Sequence, residues 1–132
     1  MHGVFLDTHA LIWYLSRPEL LSSKELETIE SAIQNGQKLC TSSITIVEII
    51  YLVEKHKIPQ EAYERLMQAV QDPSTDIYVL PIDQHVAAEL RNISRDKIPD
   101  MPDRLIAATA QYYGMALITH DQKIRDSGIQ VI

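Results

Sequence analysis

The chain has 132 residues, 45% hydrophobic and 23% charged, which suits one domain with a real core. Its formal charge of −6 argues against a protein that holds nucleic acid by a broad positive field, although metals at a carboxylate site restore attraction for phosphate locally. No apolar stretch reaches the roughly 20 residues that cross a bilayer, no leader pattern precedes the first apolar run, and the single Cys40 cannot form an intrachain disulfide, so a reducing, cytoplasmic setting with Cys40 as an inert core thiol is expected.

Residues 3–6 read as a first strand, and a short helix over 9–15 stops before Arg17-Pro18. Ser22 or Ser23 caps a second helix, Glu25 and Glu27 suit its first turn, and Asn35-Gly36 ends it. A strand over 39–42 leads through Ser43 to a helix over 44–56. Pro59 opens a helix over 60–71 that stops near Asp72-Pro73, and residues 77–80 form a β-rich third strand. Asp83 caps a helix reaching about Asn92, and the polar segment 94–102 is a loop. A helix over 103–113 closes at Gly114, and a buried strand over 115–119 follows. A short helix over 122–126 leads through Gly128 to a last strand at 129–132. This alternation predicts an α/β fold, a parallel sheet with helices on both faces, because parallel neighbours need crossover connections. Such sheets bind ligands outside the carboxyl ends of their strands.

Four acids sit where an acid is locally costly. Asp7 ends the run Val4-Phe5-Leu6, Glu48 interrupts an apolar helix, Asp103 opens Leu105-Ile106-Ala107-Ala108, and Asp121 follows a buried strand. Asp7 and Asp121 come at strand ends. Helices returning antiparallel to those strands begin at the same rim, so Asp103 and Glu48 are carried there too. Glu48 is expected to share an inward face with Ile44, Tyr51 and Leu52, and Asp103 one with Ile106, Ala107 and Ala110. Each acid also has a purely structural reading: Asp7 and Asp121 as caps, Asp103 as a favourable charge at a helix start, Glu48 as half of a buried ion pair. Their joint occurrence at one rim favours a site for Mg²⁺ or Mn²⁺, which take oxygen ligands and relieve carboxylate repulsion. Such a site suits phosphodiester hydrolysis without a protein nucleophile. Thr8 and Thr119 are candidates for orienting water or a carboxylate, beside ordinary capping or strand roles.

The segments Val4-Phe5-Leu6-Asp7-Thr8-His9, Ser42-Ser43-Ile44-Thr45-Ile46-Val47-Glu48-Ile49, Asp103-Arg104-Leu105-Ile106-Ala107-Ala108-Thr109-Ala110 and Ala116-Leu117-Ile118-Thr119-His120-Asp121 together resemble the PIN-domain ribonucleases, particularly the VapC-like toxins of toxin–antitoxin pairs. The resemblance covers nearly the whole chain. It implies one PIN-like domain over 1–132, a five-stranded parallel sheet, and a Mg²⁺- or Mn²⁺-dependent endoribonuclease. By matching motif it implies Asp7, Glu48, Asp103 and Asp121 as catalytic metal ligands. Asp100 is the weaker match to the third motif. It also implies a homodimer and a small antitoxin whose basic tail enters the acidic site. Arg104, Lys123 and Arg125, with Arg91, Arg95 and Lys97, are candidate phosphate contacts for an RNA recognised by shape and single-stranded segments. Trp13 and Tyr14 are candidates for base stacking or a partner surface, with Trp13 read first as a core anchor.

Competing readings differ in their acids. A haloacid-dehalogenase-like phosphatase expects an acid where His9 stands, and a receiver-like domain expects an early acid pair and a late lysine. A zinc hydrolase at His9, His120 and Asp121 lacks a close histidine or cysteine pair. A solitary PIN-like nuclease, or a module that binds metal or a partner without turnover, stays open.

Overall fold

Alternate residues of a strand point to opposite sides of its sheet, and that period divides the interior in two. The computed structural model describes residues 3–132. In β1 (Gly3–Leu6), Val4 and Leu6 join one core while Phe5 joins the other. The same split separates Leu39 from Cys40 in β2 (Lys38–Ser42), Ile77 from Leu80 in β3 (Ile77–Leu80), and Ile118 from Leu117 in β4 (Ala116–Ile118). The first core is closed by α1 (Thr8–Ser16), α2 (Ser23–Gln34), α3 (Ser43–Glu54) and α4 (Gln60–Gln71) through Leu11, Ile29, Ile49 and Leu66. The second is closed by α6 (Met101–Tyr113) and α7 (Gln122–Arg125) through Ile106, Ala107, Ala110 and Ile124, with Ile93 and Ile98. Between β3 and α6 lie α5 (Gln84–Glu89) and a 3-10 turn at Leu90–Asn92. Helices therefore cover both faces, as the alternation predicts.

All strand pairs are parallel, in the order β3-β2-β1-β4. Gly3 faces Lys38 in this ladder so closely that a Cβ would run into the Lys38 carbonyl oxygen. The order reverses at β1. The carboxyl ends of the neighbouring strands β1 and β4 lie side by side, with Leu6 paired to Ile118 and the Asp7 amide donating to the Ile118 carbonyl at 3.2 Å. That is the switch point where a ligand is expected.

The sheet has four strands among the described residues, not five. The segment expected as a last strand makes a single parallel bridge, Leu117 to Val131, with hydrogen bonds from the Leu117 amide to Gln130 and from Ile132 to Leu117. Gly128, at φ 91°, turns the chain just before this segment. The segment 94–102 also ends earlier than expected. Asp100 accepts from the Asp103 amide at 3.2 Å and caps a helix that begins at Met101, with Pro102 in its first turn. Gly114, at φ 66°, ends that helix in the left-handed conformation. Among the described residues, no helix is long and apolar enough to cross a membrane.

Candidate active site

Asp7, Thr8, Glu48, Asp103 and Asp121 line one cleft of about 390 Å³, together with His9, Trp13, Asp100 and His120. Asp7 is buried and caps α1, accepting from the Ala10 amide at 2.8 Å. The Thr119 hydroxyl also bonds Asp7, and the same oxygen accepts the Asp121 amide at 3.0 Å. Thr119 thus ties the first acid to the last from behind the cleft. Asp121 caps α7 through Ile124, at 3.0 Å. Both capping readings are correct as far as they go. A cap engages one carboxylate oxygen, so capping by itself does not remove either acid from the cleft.

Glu48 is half-buried one turn into α3 and takes a 2.5 Å hydrogen bond from Thr8. Its neighbours differ from expectation: Tyr51 is largely exposed, and the buried residue beside Glu48 is Thr45. The face of Asp103 is as expected, with Ile106, Ala107 and Ala110 all buried.

Burial pushes the Asp103 carboxyl up to about 7, and the charges of Asp100, Asp121, Glu48 and Asp7 add to it. Glu48 is raised for the same first reason, helped by Asp100 and Asp7 and opposed by the Thr8 bond. Asp7 is also raised by burial, against the Thr119 and Ala10 bonds. Ion pairs among the described residues join Arg17 to Glu19, Arg65 to Glu61 and His120 to Glu25, so none neutralises the four acids. The buried-ion-pair reading of Glu48 therefore fails.

This donor set fits a hard divalent ion: several partly or fully buried carboxylates that repel one another, with no lysine or arginine lining the cleft. Among the described residues no three acidic, imidazole or thiol groups already form an ion cage. Mg²⁺ typically keeps several waters and takes only one or two carboxylates directly, so the site does not require a closed protein cage.

The cleft also holds residues that the sequence reading set aside. Asp100 was passed over for Asp103, although an acid three positions before it with Pro102 between is a helix-start signal. His120 Nε2 donates to both Glu25 oxygens, 2.8 and 2.9 Å away, and its ring meets Trp13 edge-on with the centroids 4.9 Å apart. Glu25 simultaneously completes a capping box with Ser22. The box is legible as Ser-x-x-Glu, but its reach to a histidine 95 residues later has no local signal. Trp13 packs on the first core and forms a wall of the cleft, so the anchor reading covers half of it.

The basic candidates are partly committed elsewhere. Arg104 donates to the carbonyls of Ile93 and Leu90, both at 3.0 Å, and Arg125 to those of Thr119 and Ile132, at 3.0 and 3.1 Å. Lys123 is exposed.

The family model of the PIN domain matches residues 4–129. The chain belongs to the PIN-domain family. Ribonuclease VapC22 of Mycobacterium tuberculosis is 29% identical over 125 residues, 95% of this chain and 92% of the relative. Ribonuclease VapC2 of Haemophilus influenzae is 30% identical over 121 residues, 88% and 84% of the two chains. Among solved structures, DNA-bound VapBC from Salmonella typhimurium matches with a TM-score of 0.69 and 24% identity over 100% of this chain and 98% of that one, a likeness of fold. In this PIN domain the acids come from the ends of β1 and β4, from one turn inside α3 and from the first turn of α6, where the topology brings those ends to one rim.

Proposed function

We propose that this chain is a Mg²⁺- or Mn²⁺-dependent endoribonuclease, a single cytoplasmic domain acting as the toxin of a type II toxin–antitoxin pair. The observation that carries the reading is the cleft where Asp7, Glu48, Asp103 and Asp121 converge without a lysine or arginine to neutralise them. The relatives named as ribonucleases, matched over most of both chains, support RNA as the substrate. The fold neighbour named VapBC supports an antitoxin partner, and family likeness supports a homodimer.

In this reading the four carboxylates hold the ion. A bound divalent ion supplies positive charge for the phosphodiester and its leaving oxygen, and makes water more acidic. Thr119 keeps Asp7 and Asp121 aligned, and Thr8 keeps Glu48 turned toward the cleft. Arg104, Lys123 and Arg125 meet flanking phosphates, the two arginines with whatever donors their carbonyl bonds leave free. The trapped charge of the acids, unhelpful to RNA by itself, is what makes the ion indispensable.

Asn caps a helix about as well as Asp, so Asp7→Asn is expected to fold while losing one anionic ligand. Purified protein incubated with mixed RNAs should cleave with Mg²⁺ or Mn²⁺ and fall to background with a chelator or with Asp7→Asn. Undiminished cleavage by the folded variant, or in chelator, would remove this assignment.

A further inference from the structure

Three threonine hydroxyls run in line from the sheet to Glu48. Thr41 on β2 lies 3.1 Å from the Leu6 carbonyl oxygen and 3.1 Å from the Thr45 hydroxyl on α3. Thr45 in turn lies 3.1 Å from the Thr8 hydroxyl on α1, and Thr8 donates to Glu48. Thr41 and Thr45 are fully buried and Thr8 nearly so, which keeps water from competing. A hydroxyl carries one proton and an ionised carboxylate none, so the order is forced. Thr8 gives its proton to Glu48, Thr45 gives its own to Thr8, and the Thr41 proton stays between Thr45 and Leu6.

Packing alone does not ask for these hydroxyls. Valine has nearly the same shape and avoids the cost of desolvating a polar group. Helical threonines elsewhere in the chain settle onto their own helix: Thr28 donates to the Lys24 carbonyl and Thr109 to that of Leu105, each at 2.7 Å. Thr45 does otherwise and joins two other elements. The Leu6 carbonyl at the far end belongs to the peptide that leads into Asp7. The chain of hydroxyls therefore connects the backbone carrying the first acid to the side chain of the second.

We propose that Thr41 and Thr45 are positioning residues: through Thr8 they hold the Glu48 carboxylate in its cleft-facing orientation before an ion enters. The proposal rests on the reading of Glu48 as an ion ligand. Groups behind a metal ligand typically change metal affinity by roughly 10- to 100-fold when removed, and Thr45→Val is expected to weaken Mn²⁺ binding by at least about tenfold. Thr45→Ser keeps the hydroxyl and should restore most of it.

The test is calorimetric titration of the full chain with Mn²⁺, using Thr45→Val, Thr45→Ser, Glu48→Gln and the Thr45→Val/Glu48→Gln pair. If the hydroxyls act through Glu48, the pair binds no more weakly than Glu48→Gln alone. An equal extra loss in the Glu48→Gln background would mean general loosening and overturn the proposal. So would wild-type affinity in Thr45→Val while Glu48→Gln is weakened, an outcome that leaves the ion-ligand reading standing. Wild-type affinity in Glu48→Gln would overturn both. Should Thr45→Val fail to fold, Thr41→Val cuts the chain one step earlier. Loss of affinity restored by Thr41→Ser supports the proposal, and unchanged affinity overturns it.

Discussion

Asp103 holds its proton to about pH 7, because burial and four neighbouring carboxylates disfavour its charge. Its ordinary value is 3.8, so between 3.8 and about 7 the folded chain binds a proton that the unfolded chain has released. Metal-free stability must therefore fall as pH rises through that window, with the penalty complete above it. Asp103→Asn removes the penalty. Thermal melts in chelator should show the variant more stable than wild type near pH 8, with the gain shrinking toward about pH 4. A gain independent of pH would mean that Asp103 is not the strained group. That these acids are unusual was visible in the sequence, since each adjoins apolar runs. The identity of the repelling neighbours was only partly so, because Asp100 is three residues from Asp103 but Glu48 and Asp7 reach it from far away in the chain. Thr45 was overlooked for a similar reason: a threonine among isoleucines looks like packing until its partners on β2 and α1 are known.

At the scale of elements, local chemistry and tertiary use coincide at the start of α2. Ser22 accepts from the Glu25 amide at 3.1 Å, and Glu25 accepts from the Ser22 amide at 2.7 Å while also holding His120 at the cleft. Ser22→Ala removes a cap and should cost about 1 kcal/mol, read as a lowered midpoint in thermal or denaturant unfolding. No loss of stability would show that the Glu25 contacts hold α2 without it. Element identity was readable wherever caps and breakers stood close by, as at Pro59 before α4 or Gly114 after α6. It was misread at the end of the chain. Ile129, Val131 and Ile132 have the composition of a strand, but a ladder needs successive pairings, and only Val131 finds one. Composition reports what a backbone can do, whereas a ladder depends on successive pairing with a neighbour.

For the molecule as a whole, the arrangement was legible because strands separated by helices leave few topologies. Once the strands are parallel, their carboxyl ends and the starts of the following helices must share a rim. Association is a different matter, since nothing in a monomer's pattern demands it. Val47, Ile50 and Tyr51, spaced three and four apart on α3, remain exposed and give water an apolar stripe that favours association. With the family likeness, this leads us to expect a dimer in sedimentation of the purified chain, and a heavier species on adding the product of a short neighbouring reading frame. A monomer at working concentration would refute the first, and an unchanged sedimentation coefficient the second.

The pairing of Leu6 with Ile118 has a consequence for how the chain can vary in length. Slippage of β4 by one position would carry Asp121 about 3.3 Å along the strand and exchange the residues presented to the two cores. The stretch from Leu117 to Asp121 is thus a ruler measured against β1, and it tolerates neither insertion nor deletion. The turns beyond α1 and α4 carry no such measurement, so lengthening there leaves the rim intact.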